Sequence, residues 1–146
     1  MKTVCATPEA TEGLGERLGR RLSQPETIAC FGELGAGKTT FVRGVCRGLE
    51  APEAVTSPTF VLQHVYRGRL PIYHFDAYRL SGPRDLLEIG WEECDDGVVL
   101  LEWSERVEEV LPAERLEVHL RHVPEGREVE LIPRGPRLLA LLEGLC

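Results

Sequence analysis

The sequence contains no long apolar run, and this absence excludes whole classes of protein. No stretch approaches the roughly 20 apolar residues that a membrane-spanning helix needs. The first ten residues, MKTVCATPEA, lack the apolar segment of a secretory signal peptide. Hydrophobic residues make up 42% of the chain and charged residues 28%, which is typical of a soluble globular protein. We therefore expect one domain over residues 1–146, located in the cytoplasm and without a membrane partner.

Closely spaced cysteines are also missing. None of the five cysteines belongs to a C-x-x-C motif, which argues against a zinc site and against a thioredoxin-type redox centre. We expect reduced thiols, some of them packed as small apolar side chains. The five are Cys5, Cys30, Cys46, Cys94 and Cys146.

Basic residues are fewer than acidic ones, 17 against 24, and the net charge is −7. Twelve acidic residues lie from Asp85 through Glu117, and the only basic residues in that range are Arg106 and Arg115. Because such a field repels phosphate backbones, tight and independent binding to nucleic acid is disfavoured. The acidic stretch can be a solvated face, or it can dock a basic protein partner.

The first third of the chain predicts alternating helices and strands. Pro8–Leu22 reads as a helix with Thr7 as its N-cap, and Thr27–Phe31 is an apolar run typical of a buried strand. Thr39–Leu49 then reads as a second amphipathic helix. The apolar stripe predicted for the first helix consists of Ala10, Leu14, Leu18 and Leu22.

The rest of the chain predicts mainly strands. A loop over 55–60 contains Pro58, which blocks a helix. Alternating polarity predicts an antiparallel pair near the C-terminus with one face in water. The predicted strands are 60–66, 70–75, 98–103, 116–122 and 128–132, and the predicted helices are 80–91 and 136–145.

Gly32 to Thr39, GELGAGKT, match the P-loop pattern G-x-x-x-x-G-K-[ST]. The glycines let the backbone approach a phosphate closely, and successive N–H groups and the following helix dipole then face the anion. Lys38 would reach the β- and γ-phosphates, and the Thr39 hydroxyl would ligate Mg²⁺. The predicted fold class is α/β: a single-domain P-loop NTPase with three αβα layers, a mixed sheet and C-terminal antiparallel strands.

Besides the threonine hydroxyl, a P-loop protein needs a carboxylate near Mg²⁺, and Glu102 is the candidate for it. It follows four apolar residues in VVLLE, where a buried strand ends. It could hold the metal directly or through water, or it could be an ordinary acid at a strand end. Trp103 comes next and could line the site, although a core position is slightly favoured.

Asp76 is the candidate for the group that orients an attacking water, because it ends the strand IYHF before a turn. His74 lies on the same strand face and could support the site or be structural. Arg79 could contact phosphate or pair with a carboxylate. His119 and His122 are three residues apart in a strand, so they face opposite sides and cannot share a metal.

Taken together, four motifs resemble the TsaE family, formerly called YjeE. They are GELGAGKTTF at 32–41, TSPTF at 56–60, IYHFDAYRL at 72–80 and LLEW at 100–103, and their order and spacing are those of the family. The P-loop alone is generic, but SPTF combined with YHFDxYRL is highly specific. The resemblance covers about residues 11–103.

The resemblance implies an ATPase that acts with the proteins TsaB and TsaD. By this resemblance, TsaD with TsaB would threonylcarbamoylate the adenosine next to the anticodon in tRNAs reading codons that begin with A. The present chain would bind that pair and use ATP to reset or activate it, and tRNA would be met only through the complex. Thr39 and Glu102 would bind Mg²⁺, Asp76 would be the catalytic carboxylate, and 56–59 would form a switch-like loop. Pro8 and Thr11 would touch the adenine. The phosphates of ATP would be wrapped by Glu33, Leu34, Gly35, Ala36, Gly37, Lys38, Thr39 and Thr40, with Trp103 beside them.

Two other functions remain open from the sequence. A small P-loop kinase would transfer phosphate to an acceptor, but little chain after the P-loop helix is left for the Arg-rich lid of such kinases. A nucleotide-gated binding module would not need productive hydrolysis, and Asp76 argues mildly against it.

Overall fold

A seven-stranded sheet forms the centre of the computed structural model, which describes residues 1–33, 35–52, 63–78, 80, 82–88 and 90–145. The strands lie in the order β1-β7-β6-β2-β5-β4-β3. They are β1 (Lys2–Cys5), β2 (Thr27–Phe31), β3 (Gln63–Arg67), β4 (Pro71–Asp76), β5 (Val98–Glu102), β6 (Arg115–Val123) and β7 (Gly126–Arg134).

Strand direction is mixed, as the sequence predicted. The central strands β6, β2, β5 and β4 are mutually parallel, whereas β7 is antiparallel to β6, β1 to β7 and β3 to β4. The carboxyl ends of β2, β4 and β5 therefore meet at one edge of the sheet, which is where open α/β sheets bind ligands. The P-loop, Asp76 and Glu102 follow or end these three strands.

Three helices cover one face of the sheet: α1 (Pro8–Arg21), α2 (Lys38–Gly48) and α4 (Pro136–Leu142). Thr7 caps α1, since its side chain accepts a hydrogen bond from the Ala10 N–H at 3.1 Å. The inward side of α2 is buried as predicted, at Phe41, Val42, Val45 and Leu49.

The second face is covered over β4 and β5 by α3 (Pro83–Glu88) and by 3₁₀ turns at Trp91–Glu93, Ser104–Arg106 and Glu108–Val110. The layers on both faces confirm the predicted three-layer α/β class. Farther along the same face, β6 and β7 carry polar side chains, which confirms the predicted water-facing side of this pair. These side chains are His119, Arg121, Glu128 and Glu130, whereas Glu117 on the same face is buried.

Several predicted elements differ from the structure. The helix predicted over 80–91 is shorter, because Pro83 occupies its first turn and Gly90 then adopts a φ of 75°. The strand predicted to reach Trp103 ends at Glu102, because Trp103 has a left-handed φ of 60°. The last helix ends at Leu142.

Two further corrections concern the N-terminal region. Ala10 is exposed, and Thr11 takes its place on the buried side of α1. Strand β1 was not predicted, since its four residues become a strand only by pairing with β7.

The predicted loop at 55–60 and the start of the strand predicted at 60–66 lie outside the described residues.

Across the described part of the chain, no helix is both long enough and apolar enough to cross a bilayer. Cys5, Cys30 and Cys46 are buried and Cys94 is half-buried, and none of these four forms a disulfide with another described residue. Cys146 is outside the described residues.

Candidate nucleotide-binding site

The loop from Gly32 to Thr39 turns from β2 into α2, which begins at Lys38. Gly37 has a φ of 102°, a left-handed conformation that favours glycine. A Cβ added at Gly32 would lie 2.6 Å from the Leu120 carbonyl oxygen, so this position has no room for a side chain. The first N–H groups of α2 lack partners within the helix and can face an anion.

Lys38 is held inside the loop rather than extended into water. Only 5% of the residue is exposed, and its Nζ donates to the carbonyl oxygens of Gly32 and Glu33, the latter at 2.9 Å. Burial lowers the pKa of Lys38, although the carboxylates of Glu105 and Glu102 act in the opposite direction. The loop therefore carries a partly desolvated positive group, which suits a phosphate ligand.

Thr39 and Glu102 meet, although 63 positions separate them in the chain. The Thr39 hydroxyl donates to Oε1 of Glu102 at 2.9 Å, and Glu102 is only 2% exposed. A hydroxyl and a carboxylate oxygen are hard donors of the kind that Mg²⁺ binds. The pair therefore fits the metal that the sequence predicted.

The other oxygen of Glu102 is also engaged. Nε2 of the buried His74 contacts Oε2 of Glu102, and Nδ1 of His74 lies 3.3 Å from the Tyr66 hydroxyl. That hydroxyl in turn lies 3.1 Å from Nδ1 of His64. His74 therefore contacts the carboxylate that the sequence predicted as a metal ligand.

Asp76 ends β4 directly beside Glu102, its register partner on β5. Its Oδ1 accepts a hydrogen bond from the Tyr78 N–H at 2.9 Å. Burial raises the pKa of Asp76, the Tyr78 N–H opposes this, and the charge of Glu102 adds to the rise. The carboxylate thus lies at the sheet edge, one strand away from the Thr39–Glu102 pair.

Trp103 belongs both to the core and to the site. It packs at the margin of the hydrophobic cluster on the second sheet face. Its ring centroid is also 3.8 Å from Nζ of Lys38 and 4.8 Å from the ring centroid of Tyr78. The sequence-based preference for a purely core position is therefore incomplete.

A cavity of about 130 Å³ lies on the other side of the loop. Thr11 lines it and is 1% exposed, yet its Oγ1 has no hydrogen-bond partner among the described residues. The cavity therefore lies between the start of α1 and the P-loop. The other lining residues are Cys5, Ala6, Thr7, Pro8, Gly35, Gly37, Thr40, Gly126 and Arg127.

The sequence missed two side chains that hold the P-loop. Oε2 of Glu105 accepts from the Gly32 N–H at 3.1 Å, and Nε of Arg127 donates to the Gly35 carbonyl oxygen at 3.3 Å. Glu105 follows the LLEW motif closely and could have been considered with it. Arg127 reaches the loop only through the β6–β7 hairpin, and no local pattern signals that.

The remaining positions singled out from the sequence are two histidines on β6 and several residues outside the described part of the chain. His119 stacks on Phe31, whereas His122 lies on the opposite side of β6, near Gly35, so these histidines face opposite sides as predicted. Within the described ranges, no group of three or more His, Cys, Asp or Glu side chains could hold a metal by itself. Leu34, Arg79 and the loop at 56–59 lie outside the described residues.

Comparison with known proteins identifies the family. A family model described as "Threonylcarbamoyl adenosine biosynthesis protein TsaE" matches residues 5–129. The chain belongs to the TsaE family. This family is named for threonylcarbamoyl adenosine biosynthesis.

Individual TsaE relatives cover most of the chain. The TsaE protein of Treponema pallidum is 42% identical over 88% of this chain and 98% of its own length. That of Nostoc is 43% identical over 90% of this chain and 85% of its own. That of Bacillus subtilis is 34% identical over 99% and 93%.

A solved structure supports the fold. The crystal structure of YdiB from Bacillus subtilis superposes with a TM-score of 0.82 at 33% identity, covering 99% of this chain and 91% of that one. The α/β architecture and its mixed sheet are therefore those of a known TsaE-like structure.

Proposed function

We propose that the protein binds ATP with Mg²⁺ and hydrolyses it as a subunit of the tRNA threonylcarbamoyladenosine machinery, acting in the cytoplasm with TsaB and TsaD. The observation that carries this proposal is the 2.9 Å contact between the Thr39 hydroxyl and the Glu102 carboxylate at the start of the P-loop helix. It joins the two oxygen donors that a P-loop NTPase uses beside its metal. The family assignment supports the biosynthetic role.

The phosphates of ATP would lie against the backbone N–H groups of residues 33–40 and the first turn of α2. Lys38 would exchange its contacts with the Gly32 and Glu33 carbonyl oxygens for contacts with phosphate oxygens. Because Lys38 is already desolvated by the loop, less solvent reorganisation accompanies that exchange.

Thr39 and Glu102 would hold the metal side of the site. Mg²⁺ held by these two side chains would supply positive charge next to the phosphates. Glu102 keeps its carboxylate in the protein interior, where water competes less for it. The Thr39 hydroxyl lies at the first turn of α2, so that the helix fixes its position relative to the loop.

Asp76 would orient the attacking water through its carboxylate. Its hydrogen bond with the Tyr78 N–H engages Oδ1 and holds the side chain in one orientation. The base would enter the cavity beside Pro8, Thr11 and Thr40. Trp103 would pack beside Lys38 at the phosphate end.

The role of Asp76 can be tested by separating binding from turnover. We expect Asp76→Ala to bind MgATP with little change and to lose about 100-fold or more in kcat, the range for removal of a general base or water-orienting group. Binding is measured by calorimetry and turnover by release of inorganic phosphate. Asp95→Ala, at an exposed position, is the control. Unchanged turnover in Asp76→Ala would remove that residue from the proposed mechanism.

The biological role requires the partner proteins. Adding TsaB and TsaD should raise the rate of ATP hydrolysis and produce a complex in a pull-down that depends on nucleotide. Neither stimulation nor a complex would contradict the proposed assembly. With γ-labelled ATP, label on a small acceptor instead of free phosphate would identify a kinase.

A further inference from the structure

A continuous line of polar side chains runs behind the Thr39–Glu102 pair through the interior of the protein. It passes from Glu102 on β5 to His74 on β4 and then to Tyr66 and His64 on β3. Glu102, His74 and Tyr66 are 2%, 0% and 4% exposed. The line therefore crosses three adjacent strands almost entirely out of water.

The surroundings of this line are apolar. Ile72 and Leu100, on the same face of β4 and β5 as His74, belong to the main hydrophobic cluster. An apolar side chain at position 74 would continue that cluster, and burying polar groups there instead costs free energy unless each is hydrogen-bonded. The imidazole is thus better explained by what it does for Glu102 than by packing.

The donors and acceptors along the line assign its direction. An ionised carboxylate only accepts, so Glu102 takes one hydrogen bond from the Thr39 hydroxyl and one from Nε2–H of His74. A neutral imidazole protonated at Nε2 has an acceptor at Nδ1, which the Tyr66 hydroxyl supplies with a hydrogen. With that assignment, the Tyr66 oxygen accepts from Nδ1 of His64, which lies 3.1 Å away, if His64 carries its hydrogen there.

We propose that His74 is a positioning residue: it holds Oε2 of Glu102 so that Oε1 stays beside Thr39 for the cation of a bound nucleotide, and Tyr66 and His64 fix the imidazole. This inference rests on the proposed function, since the cation is that of MgATP. Without His74, the carboxylate loses the partner of Oε2 and is free to rotate away from Thr39. Side chains that hydrogen-bond to a metal ligand commonly fix its orientation and thereby increase the affinity for the metal.

The test measures how strongly Mg²⁺ improves nucleotide binding. Affinity for a fluorescent ATP analogue is measured with excess Mg²⁺ and with EDTA, for the wild type, His74→Leu, His74→Gln and Tyr66→Phe. We expect His74→Leu to weaken Mg²⁺ binding in the nucleotide complex by about 10- to 100-fold, with binding in EDTA nearly unchanged. His74→Gln places an amide N–H at the position of Nε2 and should recover much of the loss.

Tyr66→Phe removes only one hydroxyl from the line, and we expect a smaller loss of about two- to tenfold in Mg²⁺ affinity. Tyr73→Phe is its matched control. The Tyr73 hydroxyl is on the opposite face of the sheet and donates to Asp96 at 2.6 Å, so its removal should leave the Mg²⁺ dependence unchanged. Thermal unfolding of each variant checks that it is folded.

The proposal is overturned if His74→Leu keeps the wild-type Mg²⁺ dependence. It is also overturned if His74→Leu weakens binding equally with Mg²⁺ and with EDTA, since a merely structural residue acts that way. Should His74→Leu not fold, Tyr66→Phe decides: a selective loss supports the proposal and no loss overturns it. A wild type that binds no nucleotide in either condition would instead contradict the proposed function.

Discussion

Two buried carboxylates of the sheet have opposite surroundings. Glu117 is 3% exposed and contacts three basic side chains, with Arg115 at 2.8 Å, His119 at 2.9 Å and Arg134 at 3.2 Å. Glu102 is about as buried and contacts His74, but within the described residues no Arg or Lys forms an ion pair with it. The first carboxylate is already neutralised by the protein, whereas the second is suited to a cation that arrives with a ligand.

Glu117 should make folding stability depend on pH. Burial alone would raise the pKa of Glu117, but hydrogen bonds from His119 and Arg134 and the charge of Arg115 outweigh it, so the pKa falls below its ordinary value of 4.5. Because the folded-state pKa is the lower one, this contribution is present above pH 4.5 and lost as the pH falls through the folded-state pKa.

We therefore expect Glu117→Gln to lower the free energy of unfolding at pH 7 by about 1–3 kcal/mol, the cost of weakening the hydrogen bonds of a buried charged group. The difference from the wild type should shrink as the pH falls below 4.5. Urea unfolding at several pH values measures both, and Glu125→Gln at an exposed turn position is the control. A difference that stays constant with pH would contradict this account.

At the scale of elements, helices α1 and α2 pack backbone against backbone. A Cβ added at Gly15 would lie 2.3 Å from the Phe41 carbonyl oxygen, and one at Gly44 would lie 2.0 Å from that of Glu12. Such contacts leave no space for any side chain. Since α2 carries Lys38 and Thr39 in its first turn, this packing also determines where the P-loop residues lie relative to the sheet.

Two alanine substitutions in α1 should therefore have opposite effects. Gly15→Ala should destabilise the fold by about 1–3 kcal/mol or more, because the added methyl overlaps the backbone of α2. At Gly13 the nearest atom to an added Cβ is 3.7 Å away, so Gly13→Ala should stabilise the helix by about 0.5–1 kcal/mol. Chemical denaturation compares the two, and equal effects would show that the close helix contact does not matter.

Arg69 links three elements. Its guanidinium donates to the carbonyl oxygens of Leu22 at 3.0 Å, Gly19 at 2.9 Å and Gly48 at 3.0 Å. These carbonyl groups lie at the C-terminal ends of α1 and α2, and that of Gly19 also accepts from the Leu22 N–H at 3.2 Å. The β3–β4 connection, in which the sequence showed only a hairpin-length turn, therefore ties both helices to the strand that ends at Asp76.

At the scale of the whole molecule, the net charge of −7 and the acidic region from Asp85 to Glu117 disfavour direct contact with tRNA. We expect the isolated protein not to retard tRNA in a mobility-shift assay at about 10 µM and physiological salt, within the range where non-specific binders do so. The protein combined with TsaB and TsaD is the comparison. A shift by the isolated protein would show that tRNA is not met through the partners alone.

The sequence predicted those elements whose pattern lies within one segment of the chain, and it failed for those that depend on distant segments. The helices α1 and α2, the strand β2 and the β6–β7 pair follow from periodicity within one segment, and their bounds agree within a few residues. Strand β1 failed because its stability comes from β7, more than 120 positions away. The third helix was overextended because Gly90 ends it in a conformation that propensity alone does not reveal.

The sequence by itself determined the P-loop and placed Asp76 and Glu102 at strand ends, because the spacing of glycines and the end of an apolar strand are local properties. The tertiary structure decided that Thr39 contacts Glu102 and that His74, itself next to Tyr66, contacts the other oxygen of Glu102. It also decided that Arg127 and Glu105 form hydrogen bonds with the P-loop. Those contacts join distant segments across the sheet. They depend on strand order and register, which follow from packing the whole chain around one core rather than from any short stretch of it.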